Sequence, residues 1–150
     1  MTQRKKALVT GGGTGIGRSA VLALARAGFD VAINYASSAQ AAQAVAEEAQ
    51  ALGAQTLLLQ CDVSDDAAVR QMLATVGETF GHLDTLINNA GTTASWKVKD
   101  LDSLDMDAWD RTFAVNVRGN FQVTRAAVAL LRKSKETGGE PCIVNTASIV

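Results

Sequence analysis

The chain has 150 residues, 47% of them hydrophobic and 19% charged, with a formal net charge of -1. That length suits one domain with a sizeable core, and the interspersed charges exclude the basic footprint of a nucleic-acid-binding protein or of a membrane-surface patch. Arg4-Lys5-Lys6 runs straight into a strand-like segment, and no apolar run is long enough to cross a bilayer, so a cytoplasmic protein without membrane or nucleic-acid partners is expected.

The first apolar run, Ala7 to Thr10, reads as a strand that enters a glycine-rich turn. Helical spacing then extends from about Ile16 to Ala27, with Gly28 as C-cap. Val31-Ala32-Ile33 is a second strand, ending at Asn34-Tyr35. Ser37 and Gln40 have capping-box spacing and open a second helix that runs to Leu52 and is closed by Gly53. Thr56 to Leu59 is a third strand, ending at Cys61-Asp62-Val63. Ser64 is expected to cap a third helix through Phe80, ended by Gly81. Leu83 to Asn88 reads as a fourth strand, and an irregular stretch from Gly91 to Leu104 follows. Asp105 or a neighbour then caps one long helix to about Lys135. Gly138-Gly139-Glu140-Pro141 breaks that helix before a fifth strand, Cys142 to Asn145.

Continuous apolar strands alternating with helices imply a parallel sheet covered on both faces. The expected fold is therefore α/β, a Rossmann-like doubly wound sheet of βαβαβαβαβ order, with ligands at the C-terminal strand ends. Cys61 and Cys142 lie in strand-like stretches and are expected to be buried free thiols; His82, in a turn, is assigned no role.

Gly11 to Gly17 holds five glycines in seven residues, between a strand and a helix. That arrangement exposes unpaired N–H groups at the positive end of a helix, where a pyrophosphate binds well. Gly15-Ile16-Gly17-Arg18-Ser19-Ala20 matches the dinucleotide fingerprint. Gly12 to Ser19 nearly matches the phosphate-binding loop of nucleotide hydrolases, but Arg18 stands where lysine is required, and Asp62 makes a poor magnesium site. The aspartates between Asp100 and Asp110 fail the calcium-loop pattern, because Leu104 occupies a ligand position and no glycine follows where one is needed; no metal site is expected.

The strand ends narrow these alternatives. Thr10-Gly11-x-x-x-Gly15-x-Gly17, Asp62-Val63, Asn88-Asn89-Ala90-Gly91, Val115-Asn116-Val117-x-Gly119 and Ile143-Val144-Asn145-Thr146-Ala147-Ser148 occur in that order. In order and spacing the set resembles the short-chain dehydrogenase/reductase family, most like the branch that includes the 3-oxoacyl-carrier-protein reductases. The resemblance covers essentially the whole chain. It implies that Gly11, Gly13, Thr14, Gly15, Ile16 and Gly17 hold the cofactor pyrophosphate. It implies that Asp62 accepts from the adenine amino group beside the Val63 backbone, and that Asn89, Ala90 and Gly91 line the adenosine ribose and brace the sheet. Asn116 would shape its helix and anchor a water in a proton relay, and Ser148 would donate to the substrate carbonyl oxygen. These two are the candidate catalytic residues; Asn88 is read as mainly structural.

The implied activity is NADP-dependent interconversion of a carbonyl and a secondary alcohol by hydride transfer on a small-molecule substrate. NADP is favoured over NAD, which stays possible, because Asn34-Tyr35 ends the second strand where an acidic residue would pair with the ribose 2′-OH, and Ser37 with its helix terminus can accept a phosphate. Thr14 stands where many NADP-preferring members carry Lys or Arg, with Arg18 as the compensating cation. The family's acid/base tyrosine, with a lysine four positions later, would lie about a dozen residues beyond Ser148, past Val150. The only tyrosine here is Tyr35, at the adenosine end. Residues 1–150 are thus expected to be the N-terminal part of a longer, homo-oligomeric reductase whose sheet is incomplete on its C-terminal side. The alternative is a noncatalytic dinucleotide-binding fragment. Trp96, in the loop after the fourth strand, is a candidate apolar contact to the substrate.

Overall fold

Ala7, Leu8 and Val9 have no solvent-accessible surface, and neither have Val31, Ala32 and Ile33. Two adjacent strands buried this completely must be covered on both sides. The computed structural model describes residues 4–94 and 100–148. Its strands are β1 (Lys5–Val9), β2 (Phe29–Tyr35), β3 (Thr56–Gln60), β4 (Thr85–Asn88) and β5 (Cys142–Asn145). Its α-helices are α1 (Gly15–Arg26), α2 (Ala39–Ala51), α3 (Asp66–Phe80), α4 (Met106–Phe113) and α5 (Asn120–Glu136). The strands form one parallel sheet in the order β3-β2-β1-β4-β5.

Side-chain alternation divides the core into two layers. Ala7, Val9, Val31 and Ile33 pack against α1 and α2. Leu8, Ala32 and Leu86 face the other way, into a layer with Val69, Leu73 and Val76 of α3 and Val123 and Ala127 of α5. The chain leaves β1 toward β2 and β3, then crosses back to β4 on the opposite side of β1. The direction therefore reverses between β1 and β4, and in open α/β sheets the crevice at such a reversal is where ligands bind.

The expected element types all appear, with four local differences. Asp65, not Ser64, caps α3, because its carboxylate takes the N–H groups of Ala67 and Ala68. Ser38, not Ser37, is the N-cap position of α2. The single long helix expected from Asp105 to Lys135 is α4 and α5 joined by a π-helical turn, Ala114–Gly119. Cys61 is buried as expected but Cys142 is exposed, because among the described residues β5 has a neighbouring strand on one side, β4.

The N-terminal end of the sheet carries a buried charge cluster. Lys6 Nζ donates to Asp30 Oδ2 at 2.5 Å, while Asp30 Oδ1 accepts from Arg4 Nε at 2.9 Å and from the Gln55 N–H at 2.8 Å. Asp84 takes the Lys6 N–H and the Ser134 hydroxyl, tying β1, β4 and α5 together. Burial alone would raise the Asp30 carboxyl, but the Lys6 ammonium, the Gln55 N–H and the Arg4 guanidinium outweigh it and hold it below the usual carboxylate range. The stability this contributes is present above the unfolded value of about 3.9 and is lost as pH falls through the lower folded value. Asp30→Asn is expected to cost roughly 3 kcal/mol at neutral pH, because it leaves Lys6 buried without its counter-charge. In urea titrations the variant should also lose less stability than the wild type below about pH 4; parallel curves would refute the assignment.

Candidate functional site

The glycine turn after β1 is set by a close approach. A Cβ on Gly17 would sit 2.1 Å from the Gly11 carbonyl oxygen and 2.6 Å from Asn89 Nδ2. Only glycine lets the first turn of α1 lie against the end of β1 there. Gly11 itself has φ +62°, a left-handed conformation that side chains disfavour. Thr14 occupies the N-cap position of α1 without a side-chain capping bond, and no acidic residue lies in the first turn. The helix thus presents its N-terminal N–H groups and its positive dipole end without an internal counter-charge.

The turn is tied to the other side of the reversal. The Thr10 hydroxyl oxygen accepts from the N–H groups of Asn89 and Ala90 at 2.9 and 3.0 Å. Asn89 Nδ2 donates to the carbonyls of Thr10 and Gly11. Asn34 braces the turn from β2: its Oδ1 accepts from the Gly11 N–H and its Nδ2 donates to the Leu59 and Cys61 carbonyls. The Asn34 side chain is 99% buried by this, so its amide supports the floor rather than reaching a ligand.

A cleft of about 300 Å³ opens above these strand ends. Gly11, Thr14, Asn34, Tyr35 and Ser37 line it. So do Asp62, Val63, Ala90 and Gly91, together with Arg111 of α4. The remaining expected positions are not among its lining residues: Gly13 packs on Ala42 of α2, Gly15 starts α1 with φ +52°, Ile16 is 68% exposed on the first turn, and Asn89 Nδ2 donates to the Thr10 and Gly11 carbonyls. Arg18 does not line the cleft; it pairs with Glu48 of α2 at 2.7 Å, so it supplies no cation there.

Asp62 Oδ1 accepts from the Ser64 N–H and hydroxyl, and Oδ2 is 2.8 Å from Arg111 Nη2. Burial would raise this carboxyl, but Ser64 and the Arg111 guanidinium outweigh it and hold it below the usual range, ionised at neutral pH. Burial also pushes the neighbouring Cys61 thiol up to about 11, helped by the Asp62 and Asp65 carboxylates, so this cysteine is a protonated wall and not a nucleophile.

A second cleft, of about 550 Å³, shares Gly91 and Thr92 with the first. Asn116, Ser148 and the stacked Trp109–Phe113 pair line it. Asn116 Nδ2 donates to the Thr92 carbonyl and its Oδ1 accepts the Thr92 N–H, both at 2.8 Å. That two-point lock, on a side chain presented by the π-helical turn, holds the wall between the clefts. The candidate catalytic residues therefore stand together, apart from Asp62 and Tyr35 at the other end. Trp96 lies outside the described residues. Sequence reasoning missed Arg111, Thr92 and the hydroxyl of Thr10, and only Thr10 carried a signal, as the first residue of the glycine motif.

Gly17→Ala is expected to cost about 1–3 kcal/mol, because the new methyl would overlap the Gly11 carbonyl. A denaturation midpoint equal to the wild type's would contradict the close approach.

The model of the short chain dehydrogenase family matches residues 5–150. A versicolorin reductase of Emericella nidulans is 41% identical over 147 residues, which is 97% of this chain and 53% of that protein. A 3-oxoacyl-[acyl-carrier-protein] reductase of Staphylococcus aureus is 37% identical over 150 residues, 100% of this chain and 58% of that protein. The chain spans a little over half the length of these relatives. Among solved structures, a putative short-chain dehydrogenase/reductase from Burkholderia xenovorans superposes with a TM-score of 0.93 at 35% identity, over 99% of this chain and 61% of that one. A short chain dehydrogenase from Burkholderia cenocepacia in complex with NADP superposes at 0.84 with 43% identity, over 97% of this chain and 56% of that one. The chain belongs to the short-chain dehydrogenase family.

Proposed function

We propose that this chain forms the dinucleotide-binding part of an NADP-dependent oxidoreductase that interconverts a carbonyl and a secondary alcohol. The observation that carries this reading is the uncapped N-terminus of α1, brought against the end of β1 by Gly17 at the mouth of a polar cleft. A pyrophosphate fits there, because the N–H groups of the turn meet its charge with no Cβ in the way. Asp62 and Val63 would hold the adenine; Asn89, Ala90 and Gly91 would stand beside its ribose. The bound cofactor supplies or accepts the hydride.

What this chain's residues do follows from their placement. Ser148 would donate a hydrogen bond from its hydroxyl to the carbonyl oxygen, stabilising the charge that develops there. Asn116 keeps the wall between the two clefts in place through Thr92. Trp109 and Phe113 give the second cleft an apolar side for a small-molecule carbonyl. The acid/base tyrosine and lysine of the family pattern would come from sequence following Ser148. The preference for NADP rests on the absence of a carboxylate at the Tyr35–Ser38 end of the first cleft and on the hydroxyls of Ser37 and Ser38 there. Exposed Phe113, Val117 and Phe121, on α4, the π-helical turn and α5, are an apolar surface suited to a homo-oligomer.

NADPH is expected to bind about tenfold tighter than NADH, a difference of about 1.4 kcal/mol, in fluorescence titrations. Equal affinities, or tighter NADH, would refute the NADP assignment. In the full-length protein, Ser148→Ala is expected to lower kcat about 100-fold or more with cofactor affinity unchanged. A kcat within a few-fold of wild type would remove Ser148 from the chemistry.

A further inference from the structure

Arg111 does more in this molecule than line a wall. Its guanidinium crosses from α4 to the loop after β3, where Nη2 is 2.8 Å from Asp62 Oδ2 and Nη1 donates to the Ser64 hydroxyl oxygen at 2.7 Å. The Ser64 hydroxyl donates onward to Asp62 Oδ1 at 2.7 Å, and the Ser64 N–H donates to the same oxygen at 2.9 Å. The three side chains close a ring. An ionised carboxylate offers about four acceptor positions. Oδ1 has two donors and Oδ2 has one, so a single position remains, on Oδ2. The Asp62 side chain is 41% exposed and lines the first cleft, so a ligand can reach that position. Among the described residues lining this cleft, Arg111 is the cation and Asp62 the anion, and they are spent on each other.

A carboxylate held only by its own loop can rotate and present either oxygen. Pinned from two elements, it presents one acceptor in one direction, and such planar two-point holding is what an arginine fork supplies and a lysine does not. We propose that Arg111 is a positioning residue for the nucleotide base: by fixing the Asp62 carboxylate with one acceptor position open, it makes the cleft select a base with an exocyclic amino donor over one with a carbonyl at the same place. This rests on reading the first cleft as the adenosine end of a dinucleotide site. An amino group donates into the open position of Oδ2. A carbonyl there would set two acceptors against each other, and a site built to hydrogen-bond a donor rejects an analogue lacking it.

The test compares NADPH with its hypoxanthine analogue, in which the 6-amino group of adenine is replaced by a carbonyl oxygen. Dissociation constants for both are measured on the full-length wild type and on Arg111→Met, Arg111→Lys and Ser64→Ala. The wild type is expected to bind NADPH about tenfold tighter than the analogue. Arg111→Met should lose most of that ratio by weakening NADPH while leaving the analogue within about twofold, and Arg111→Lys should keep part of it. Ser64→Ala opens the ring from the other side and should move the ratio the same way, which keeps the test valid if Arg111→Met fails to fold. Equal weakening of both nucleotides by Arg111→Met would overturn the proposal, since that is loss of α4 packing alone. Tighter NADPH binding by Arg111→Met would also overturn it, since the ion pair would then compete with the base. A wild type that binds neither nucleotide would overturn the dinucleotide reading itself, an outcome distinct from a wild type that binds both without preference.

Discussion

The approach of α1 to the end of β1 is the constraint on which the rest of the site depends. It exists because Gly17 has no Cβ and the Gly11 carbonyl fills the space one would need. Move α1 outward by the width of a methyl and Gly17 loses its contact with the Gly11 carbonyl and with Asn89, which donates to the Thr10 and Gly11 carbonyls. The β1–β4 reversal is held at this place, so packing of the helix and shape of the cleft are one geometric fact. Neighbouring polar groups serve the same contact. Asn34 spends its amide on the Gly11 N–H and two carbonyls of the β3 end, and Thr10 spends its hydroxyl on two N–H groups after β4. Buried polar groups that are fully paired in this way rigidify a core and specify one arrangement of it.

The two clefts differ in chemistry. The first is polar, with an ionised Asp62 and the turn N–H groups; the second has an aromatic side and holds Asn116 and Ser148. They meet at Gly91 and Thr92, whose backbone is fixed by the Asn116 amide. The π-helical turn from Ala114 to Gly119 is the local irregularity that presents this asparagine. Within the same turn Gly119 packs so closely on Val63 that a Cβ would lie 2.7 Å from its methyl group. The turn therefore touches Val63 in the first cleft and, through Asn116, the Thr92 wall of the second.

The strand ends and the glycine turn were legible because their signals are local: a run of apolar residues stops, and small or polar residues follow. The N-caps of α2 and α3 were legible only to the neighbouring residue, while Asp105 caps α4 and Gly81 ends α3 as expected. Ser64 and Asp65 both carry capping oxygens, and the choice fell to Asp65 because Arg111 and Asp62 take the Ser64 hydroxyl. The inward turn of Asn34 depends on the register of β2 against β3, which no single segment encodes. Arg18 follows the glycine turn in sequence yet pairs with Glu48, because α2 lies beside α1. A π-helical turn inside a helical pattern leaves the apolar spacing nearly unchanged, so α4 and α5 read as one helix. The exposure of Cys142 follows from the sheet order, which among the described residues places β5 last, beside β4.

The most direct measurement is an amide nuclear magnetic resonance titration of the protein with NADPH, reading shifts residue by residue. The account predicts the largest shifts at the Gly13–Gly17 N–H groups, at Asp62 and Val63, and at Ala90 and Gly91, with the buried charge cluster around Asp30 and Asp84 unmoved. Binding that shifts other surfaces and leaves the glycine turn and the Asp62 loop in place would contradict it.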